Sequence, residues 1–268
     1  MQDSDDRDRR EQLERELELT TAELQRTRRA LDHFVSAASH DLKAPLQKVR
    51  GFADLLEQEY RAQLGDDGID YLSRLTRSVT RMERLVDDLV SLARVRTSNT
   101  AFAPVDLAAV VRAVLANLHD VLQQTGGRVE IGDSLPTIDA DAAQMLQLWH
   151  QLVANSLKFR RDGRPPIVRI NARILDGENM CEIEIADNGI GFHSRYAEQI
   201  FRPFERLHGP QQYEGSGMGL AICAQIVDRH AGTITAAGTP GEGATFAVRL
   251  PVRHPNTASS ATSAASGT

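Results

Sequence analysis

The first 44 residues contain neither glycine nor proline; Pro45 and Gly51 are the first of each. A breaker-free stretch of that length, rich in Glu, Arg and Leu, is committed to helix. Within it Leu13, Leu17, Thr20, Leu24, Thr27, Leu31, Phe34 and Ala38 follow alternating spacings of four and three. That is a heptad seam, and a seam on one helix buries nothing until it meets a partner. Thr20 and Thr27 dilute it, so residues 1–33 predict a modest coiled coil, with a solvated amphipathic helix as the alternative.

The seam keeps its phase into SHDLKAPL, residues 39–46. His40 lies two residues beyond Ala38, about 200° round a helix of ~3.6 residues per turn, and so points to solvent. Pro45 has no N–H, which deprives the Asp41 carbonyl of its intrahelical partner and lets the helix bend beside the histidine. The helix is expected to run to about Tyr60, with QLGDDG as a turn. A second helix follows from Ile69 to about Val95, with Ile69, Leu72, Val79, Met82, Val86 and Leu89 on one face. Two antiparallel amphipathic helices cover only part of their apolar surface. Residues 34–98 therefore predict a hairpin that dimerises into a four-helix bundle.

After TSNTAFAPVD the periodicity changes. A helix is expected over about 106–123, short strands near Val129 and Ile138, and a helix over 141–159. Val168, Ile170, Ala172 and Ile174 alternate with Arg169, Asn171 and Arg173. Ile183 and Ile185 alternate with Glu182 and Glu184, and Phe246, Val248 and Leu250 with Thr245 and Arg249. Period-two strands with one wet face, interleaved with helices, predict an α/β sandwich over 104–252. The small polar tail, 253–268, reads as disordered. The net charge of −6 argues against a nucleic-acid partner. The absence of any run of ~18 apolar residues argues against a membrane span. Cys181 and Cys223 sit in apolar segments and read as buried free thiols of a reducing, cytoplasmic environment.

Three polar motifs stand out in the second half. Gln147, Gln151, Asn155 and Lys158 line one face of the 141–159 helix, with Met145, Leu148, Leu152 and Phe159 on the core side. ADNGIGF, residues 186–192, follows a strand; Asp187 ends the strand, and Gly189 and Gly191 let backbone pass close to a ligand. EGSGMGLAI, residues 214–222, sets Gly215, Gly217 and Gly219 before an apolar helix, a backbone arrangement suited to phosphate. No strand directly precedes these glycines, which excludes a dinucleotide fingerprint. The long segment from His193 to Tyr213 reads as a lid or a disordered insert, with Phe201 and Phe204 as candidates to anchor it on a ligand or on the core.

In order and spacing these motifs resemble the transmitter region of sensor histidine kinases over about residues 30–251. SHDLKAPL resembles the H box, QLVANSLKF the N box, DNGIGF the G1 box, FRPF the F box and GSGMGLAI the G2 box. FERLH followed by YEGSGMGLA is similar to the phytochrome-like branch. The resemblance implies a Bergerat-type ATP-binding sandwich behind the dimeric hairpin, with ATP and Mg²⁺ as cofactors. It makes His40 the phosphoacceptor and Asp41 the group that orients its ring. Asn155, and less directly Gln151, would ligate the metal, and Lys158 would neutralise phosphate charge. Asp187 would accept from the adenine amino group, with Gly189 and Gly191 beside it. Phe201 and Phe204 would belong to the ATP lid, and Gly215, Gly217 and Gly219 would lie along the triphosphate. Implied partners are a second copy, a response-regulator receiver domain and an upstream sensor. Gln151 departs from the family's usual asparagine. Ala44 stands where relatives with strong phosphatase activity carry Thr or Asn, which implies a bias towards kinase activity. The alternatives are an ATPase of the same superfold, as in topoisomerases and chaperones, and a scaffold without turnover. The H box on a dimerising hairpin speaks against the first, and Asn155, Asp187 and the G2 glycines against the second.

Overall fold

The computed structural model describes residues 2–253 except Asn99, Asp133, Asp176, His208, Pro210, Gln211 and Glu214. The side chains of Leu17, Leu24, Leu31 and Phe34 in the heptad seam, and the tail beyond Arg253, lie outside the described residues. The chain divides into two compact units, Met1–Thr97 and Ser98–Thr268.

The first unit is helix α1 (Gln2–Thr97), interrupted at Gly65, where φ is 62° and ψ −179°. Only glycine occupies that region without strain. The chain reverses there. Lys43 pairs with Asp87, and Arg50 Nη1 with Glu83 Oε2 at 2.8 Å, so both cross-arm ion pairs are centred close to Gly65. The reversal is tighter than QLGDDG suggests, and residues 66–68 already belong to the second arm. Pro45 does not break the helix: the backbone angles remain helical across it. In the amino-terminal arm the Thr20 and Thr27 hydroxyls donate to the carbonyls of Glu16 (2.8 Å) and Glu23 (3.0 Å), which satisfies both within the helix.

Ala53 and Val79 are buried in the hairpin, yet Leu42, Val49 and Leu56 on one arm and Leu75, Met82 and Leu89 on the other stay exposed. Each triplet is spaced by seven. Met82 and Leu89, expected on the covered face, are thus open in a single chain. No helix among the described residues is long and apolar enough to cross a membrane.

The second unit is an α/β sandwich. Strands β2 (Arg128–Ile131), β4 (Ile167–Leu175), β5 (Met180–Asp187), β7 (Gly243–Pro251) and β6 (Thr233–Thr239) form a sheet in that order, with β2 parallel to β4 and the rest antiparallel. Strands β1 (Ala103–Asp106) and β3 (Thr137–Ala140) form a separate antiparallel pair. Helices α2 (Leu107–Asn117), α4 (Ala142–Lys158) and α5 (Gly219–Arg229) pack together, and the core lies between them and the sheet. Trp149, Leu148, Leu152, Ile170, Ile183, Ile185 and Val248 are fully buried. The helix expected over 106–123 breaks at Leu118 and resumes as α3 (His119–Thr125), which stops at Gly126 in the left-handed conformation. On the outer face Glu182 is not wet. Arg173 and Arg249 fold over it, and their guanidinium groups, Arg249's first, hold its carboxyl below the usual range.

Gly65 has open space where a Cβ would stand, so Gly65→Ala carries a purely conformational cost. That substitution should destabilise the hairpin by roughly 1–3 kcal/mol, seen as a lower urea midpoint in the helical circular dichroism signal. Gly51 is helical and equally open. Gly51→Ala should move the midpoint the other way, by roughly 0.5–1 kcal/mol.

Candidate functional site

A cavity opens in the second unit between α4, the end of β5, the 190–217 segment and the start of α5. The rotation of α4 is fixed first. Asp141 caps its N-terminus, Oδ1 accepting from the N–H groups of Ala143 (3.1 Å) and Gln144 (3.3 Å). Met145, Leu148, Trp149 and Leu152 are then fully buried, which turns Gln151, Asn155 and Lys158 into the cavity. Gln147, on the same stripe, lies outside the lining. Phe159, expected on the core side, instead lines the cavity at the C-cap of α4. Its ring stands 5.0 Å from that of Tyr213, and Lys158 Nζ is 4.5 Å from its centroid.

Asp187 ends β5 at the cavity. Its Oδ1 accepts from the N–H groups of Gly189 (2.8 Å) and Ala244 (3.2 Å), with the Ser156 hydroxyl also in reach. Burial raises its pKa above the ordinary carboxylate value, against the lowering effect of those donors. Gly189 does not line the cavity and acts through that amide; Gly191 does line it. Gly191 has φ +62°, and a Cβ there would come within 2.0 Å of the Thr239 carbonyl oxygen. Asn188, which sequence reading passed over, holds the turn. Its Oδ1 accepts from Ile167 N at 2.8 Å, its Nδ2 donates to Pro165 O at 3.2 Å, and its carbonyl accepts from Arg161 Nε at 3.0 Å.

Gly215, Gly217 and Gly219 all line the cavity. A Cβ at Gly215 would stand 2.9 Å from Lys158 Nζ, and one at Gly219 2.8 Å from Gln151 Oε1. Their bareness therefore lets the polar face of α4 approach the backbone that opens α5. At the start of α5 Ser216 Oγ accepts from Met218 N at 3.1 Å and the N-cap makes no side-chain bond, so the N–H groups of Gly219 and Leu220 remain open at the cavity. Arg206 forks onto the carbonyls of Gly215 and Tyr213, both at 2.6 Å, which ties the lid to the glycine turn. The two lid aromatics fall elsewhere. Phe201 packs edge-on against Phe246 at 6.5 Å, and Phe204 is 56% exposed with φ +66°; neither lines the cavity.

His40 and Asp41 belong to the first unit. Their side chains are 84% and 83% exposed, with His40 Nδ1 3.3 Å from Asp41 Oδ1. The cavity thus combines carboxamides, an ammonium group, open helix N–H groups and a half-buried carboxylate beside apolar Ile190, Phe192 and Phe246. That is an environment for a flat polar ring carrying an anionic tail.

Comparison with known proteins gives two family matches. Residues 140–254 match the model described as histidine kinase-, DNA gyrase B- and HSP90-like ATPase. Residues 30–98 match the His Kinase A (phospho-acceptor) domain. The phytochrome-like protein Cph1 of Synechocystis sp. is 37% identical over 241 residues, 90% of this chain and 31% of that protein. The histidine protein kinase DivJ of Caulobacter vibrioides is 29% identical over 226 residues, 82% of this chain and 37% of that one. Among solved structures, full-length ShkA in complex with AMPPNP superposes with a TM-score of 0.62 at 27% identity, covering 83% of this chain and 46% of that one. The chain spans about a third of the length of the curated relatives it matches.

Asp187 supplies a test of its environment. Its folded-state pKa is raised, so the charged carboxylate costs stability above that pKa, and the cost disappears as pH falls below the unfolded value. Asparagine still accepts from both amides. Asp187→Asn should therefore melt at or above the parent's temperature at neutral pH, with the gap closing as pH is lowered through the carboxylate range. Calorimetry across pH reads both; a large loss at neutral pH would show that the fold needs the charge.

Proposed function

The chain belongs to the histidine kinases, in the part that carries the phosphoacceptor hairpin and the ATP-binding unit, and from that premise we propose that it phosphorylates itself on His40 and passes the group to an aspartate of a response-regulator receiver domain. Residues 1–33 then serve as a signal helix entering from a sensor domain or protein, 34–98 as the phosphoacceptor hairpin and 104–252 as the catalytic unit. The observation that carries the reading is His40 itself: an exposed imidazole whose Nδ1 faces a carboxylate, leaving Nε2 free to solvent.

In the neutral Nδ1–H form the Nε2 lone pair attacks the γ-phosphorus of ATP. An N–P bond forms, the bond from phosphorus to the β–γ bridging oxygen breaks, and ADP leaves. Asp41 orients the ring through Nδ1 and takes up the positive charge that develops there. In the cavity, Asp187 accepts from the adenine amino group. The open N–H groups of α5 and the backbone at Gly215 and Gly217 lie along the phosphates, and Lys158 neutralises their charge. Asn155 and Gln151 offer carboxamide oxygens, hard donors of the kind Mg²⁺ accepts alongside phosphate oxygens and water. Bound there, Mg²⁺ would draw charge from the phosphates. A receiver domain reaches the same exposed imidazole afterwards, which is why the residue cannot be enclosed.

The exposed heptad-spaced residues of both arms, Leu42, Val49, Leu56, Leu75, Met82 and Leu89, support a homodimer in which two hairpins close a four-helix bundle. The unpaired, buried thiols of Cys181 and Cys223 fit a cytoplasmic site of action.

Incubation with ATP labelled at the γ-phosphate should give protein-bound label that is lost in acid and stable in base. His40→Gln should abolish it while ADP binding is retained; label persisting in that variant would overturn the assignment. Asn155→Ala, at a partly buried position on the cavity wall, should melt close to the parent, well short of the ~2–5 kcal/mol of a core deletion. It should nevertheless lose magnesium-dependent labelling, and full labelling would remove Asn155 from the metal site.

A further inference from the structure

Arg229 ends α5, at the opposite end of that helix from the cavity. Its side chain is 14% exposed, and its donors reach four acceptors. Nη1 bonds Asp141 Oδ2 at 3.2 Å and Gln144 Oε1 at 2.8 Å; Nη2 bonds the carbonyls of Ser98 and Thr100, both at 3.1 Å. The guanidinium also lies 4.9 Å from the centroid of Phe102, whose ring stands 4.6 Å from that of His230. His230 in turn accepts from the Asp141 N–H through Nε2 at 3.1 Å. Ser98, Thr100 and Phe102 belong to the segment that leaves α1 and enters the second unit.

Two features separate this cluster from ordinary packing. Half of the guanidinium's bonds go to linker backbone carbonyls, so it grips the path of the linker whatever side chains stand there. Its other partners are the N-cap of α4 and that helix's first turn. Helices α4 and α5 pack on one another and each runs from this cluster to the cavity, α4 ending at Lys158 and α5 beginning at Gly219. At ~1.5 Å per residue they are rigid struts of about 25 Å and 16 Å. The linker is thereby registered against the cavity through two helices.

We propose that Arg229 is a positioning residue for autophosphorylation: it clasps the linker at Ser98 and Thr100 and so sets how the ATP-binding unit is tethered to the hairpin that carries His40. The inference rests on the kinase reading above. With the clasp closed, the free tether between the units is short; with it open, the linker up to Phe102 joins the flexible part, and the bound nucleotide samples many orientations that cannot react.

The test uses the whole chain with Arg229→Gln, which keeps a polar side chain but loses the fork and the charge. Amide hydrogen exchange of the 98–102 segment should rise, and this readout does not depend on any phosphorylation. At saturating ATP the initial rate of His40 labelling should fall roughly tenfold, while ADP affinity stays within about twofold. A parental rate in the variant, or unchanged exchange of the linker, would overturn the proposal. So would a rate that falls only in step with nucleotide affinity, since that would place the effect in the cavity. Two glycines inserted between Thr97 and Ser98 leave Arg229 and all its partners in place while loosening the same tether. They should reproduce the slow labelling at parental ADP affinity, and a parental rate there would also overturn the proposal, even if Arg229→Gln fails to fold. A parent chain that takes no label at all, yet shows linker exchange released by Arg229→Gln, would refute the kinase reading and not the clasp.

Discussion

The burial of one face of α4 governs the rest of the second unit. Met145, Leu148, Trp149 and Leu152 are fully buried, and a helix so anchored has no freedom to rotate about its axis. Everything on its other face is then placed by the 3.6-residue period: Gln151, Asn155 and Lys158 must face the cavity together. Asp141 at one end and Phe159 at the other finish the arrangement, the first by satisfying the opening N–H groups, the second by turning an aromatic ring into the cavity wall. Gly215 and Gly219 are bare where the tips of Lys158 and Gln151 stand, and Gly217 is bare where the lid backbone at Phe204 and Glu205 passes. Site chemistry and core packing are consequences of one helix register.

On the proposed reading, opposite demands act on Asp187 and His40. Asp187, as the proposed adenine acceptor, needs at least partial burial, because a carboxylate that is to distinguish one polar ring from another must be screened from water that would accept and donate indiscriminately. That burial raises its pKa, and two backbone amides only partly offset the cost. His40, as the proposed phosphoacceptor, needs the reverse, since a group that would take phosphate from bound ATP and give it to a receiver domain must be reachable by both. The hairpin provides this by turning its covered residues, Ala53 and Val79, away from a histidine that is 84% exposed.

Much of this was legible in the sequence, for identifiable reasons. Long periodic stretches report on backbone geometry through side-chain chemistry: the breaker-free amino terminus, the polar stripe of α4 and the alternation in β4, β5 and β7 were all readable. Strands β1 and β6 were not. APVD contains a proline and only four residues, and TITAAGT buries no large side chain, so neither carries a period to detect. The turn at Gly65 was placed within a few residues but not on one, because three glycine or aspartate neighbours share its chemistry. Phe201 and Phe204 illustrate a different limit. An aromatic in a lid segment can pack on the core or project to solvent, and the choice depends on the ring of Phe246 and on a positive φ at Phe204, neither visible locally. Asn188 and Ala244 were missed because their contributions are a side-chain brace and a backbone N–H, which carry no residue-type signal.

The same asymmetry explains why Arg229 escaped notice. In sequence it is a basic residue in the last turn of a helix, where a positive charge is favoured by the carbonyl ends and needs no further reason. Its partners lie 85 to 131 residues away along the chain, and two of them are backbone oxygens. Carbonyls are identical at every position, so a side chain that binds them leaves no complementary partner to find. What distinguishes Arg229 is geometric: a planar fork, nearly buried, with all its bonds directed at one linker and one helix start. A lysine there could satisfy one or two of those acceptors but not hold the linker and Asp141 at fixed spacing, because a single ammonium centre imposes no plane. Where a reaction depends on how a nucleophile in one unit meets a nucleotide in another, fixed spacing at the tether matters in the same way that helix register matters at the site, and in both places it is set by residues that never touch the phosphate.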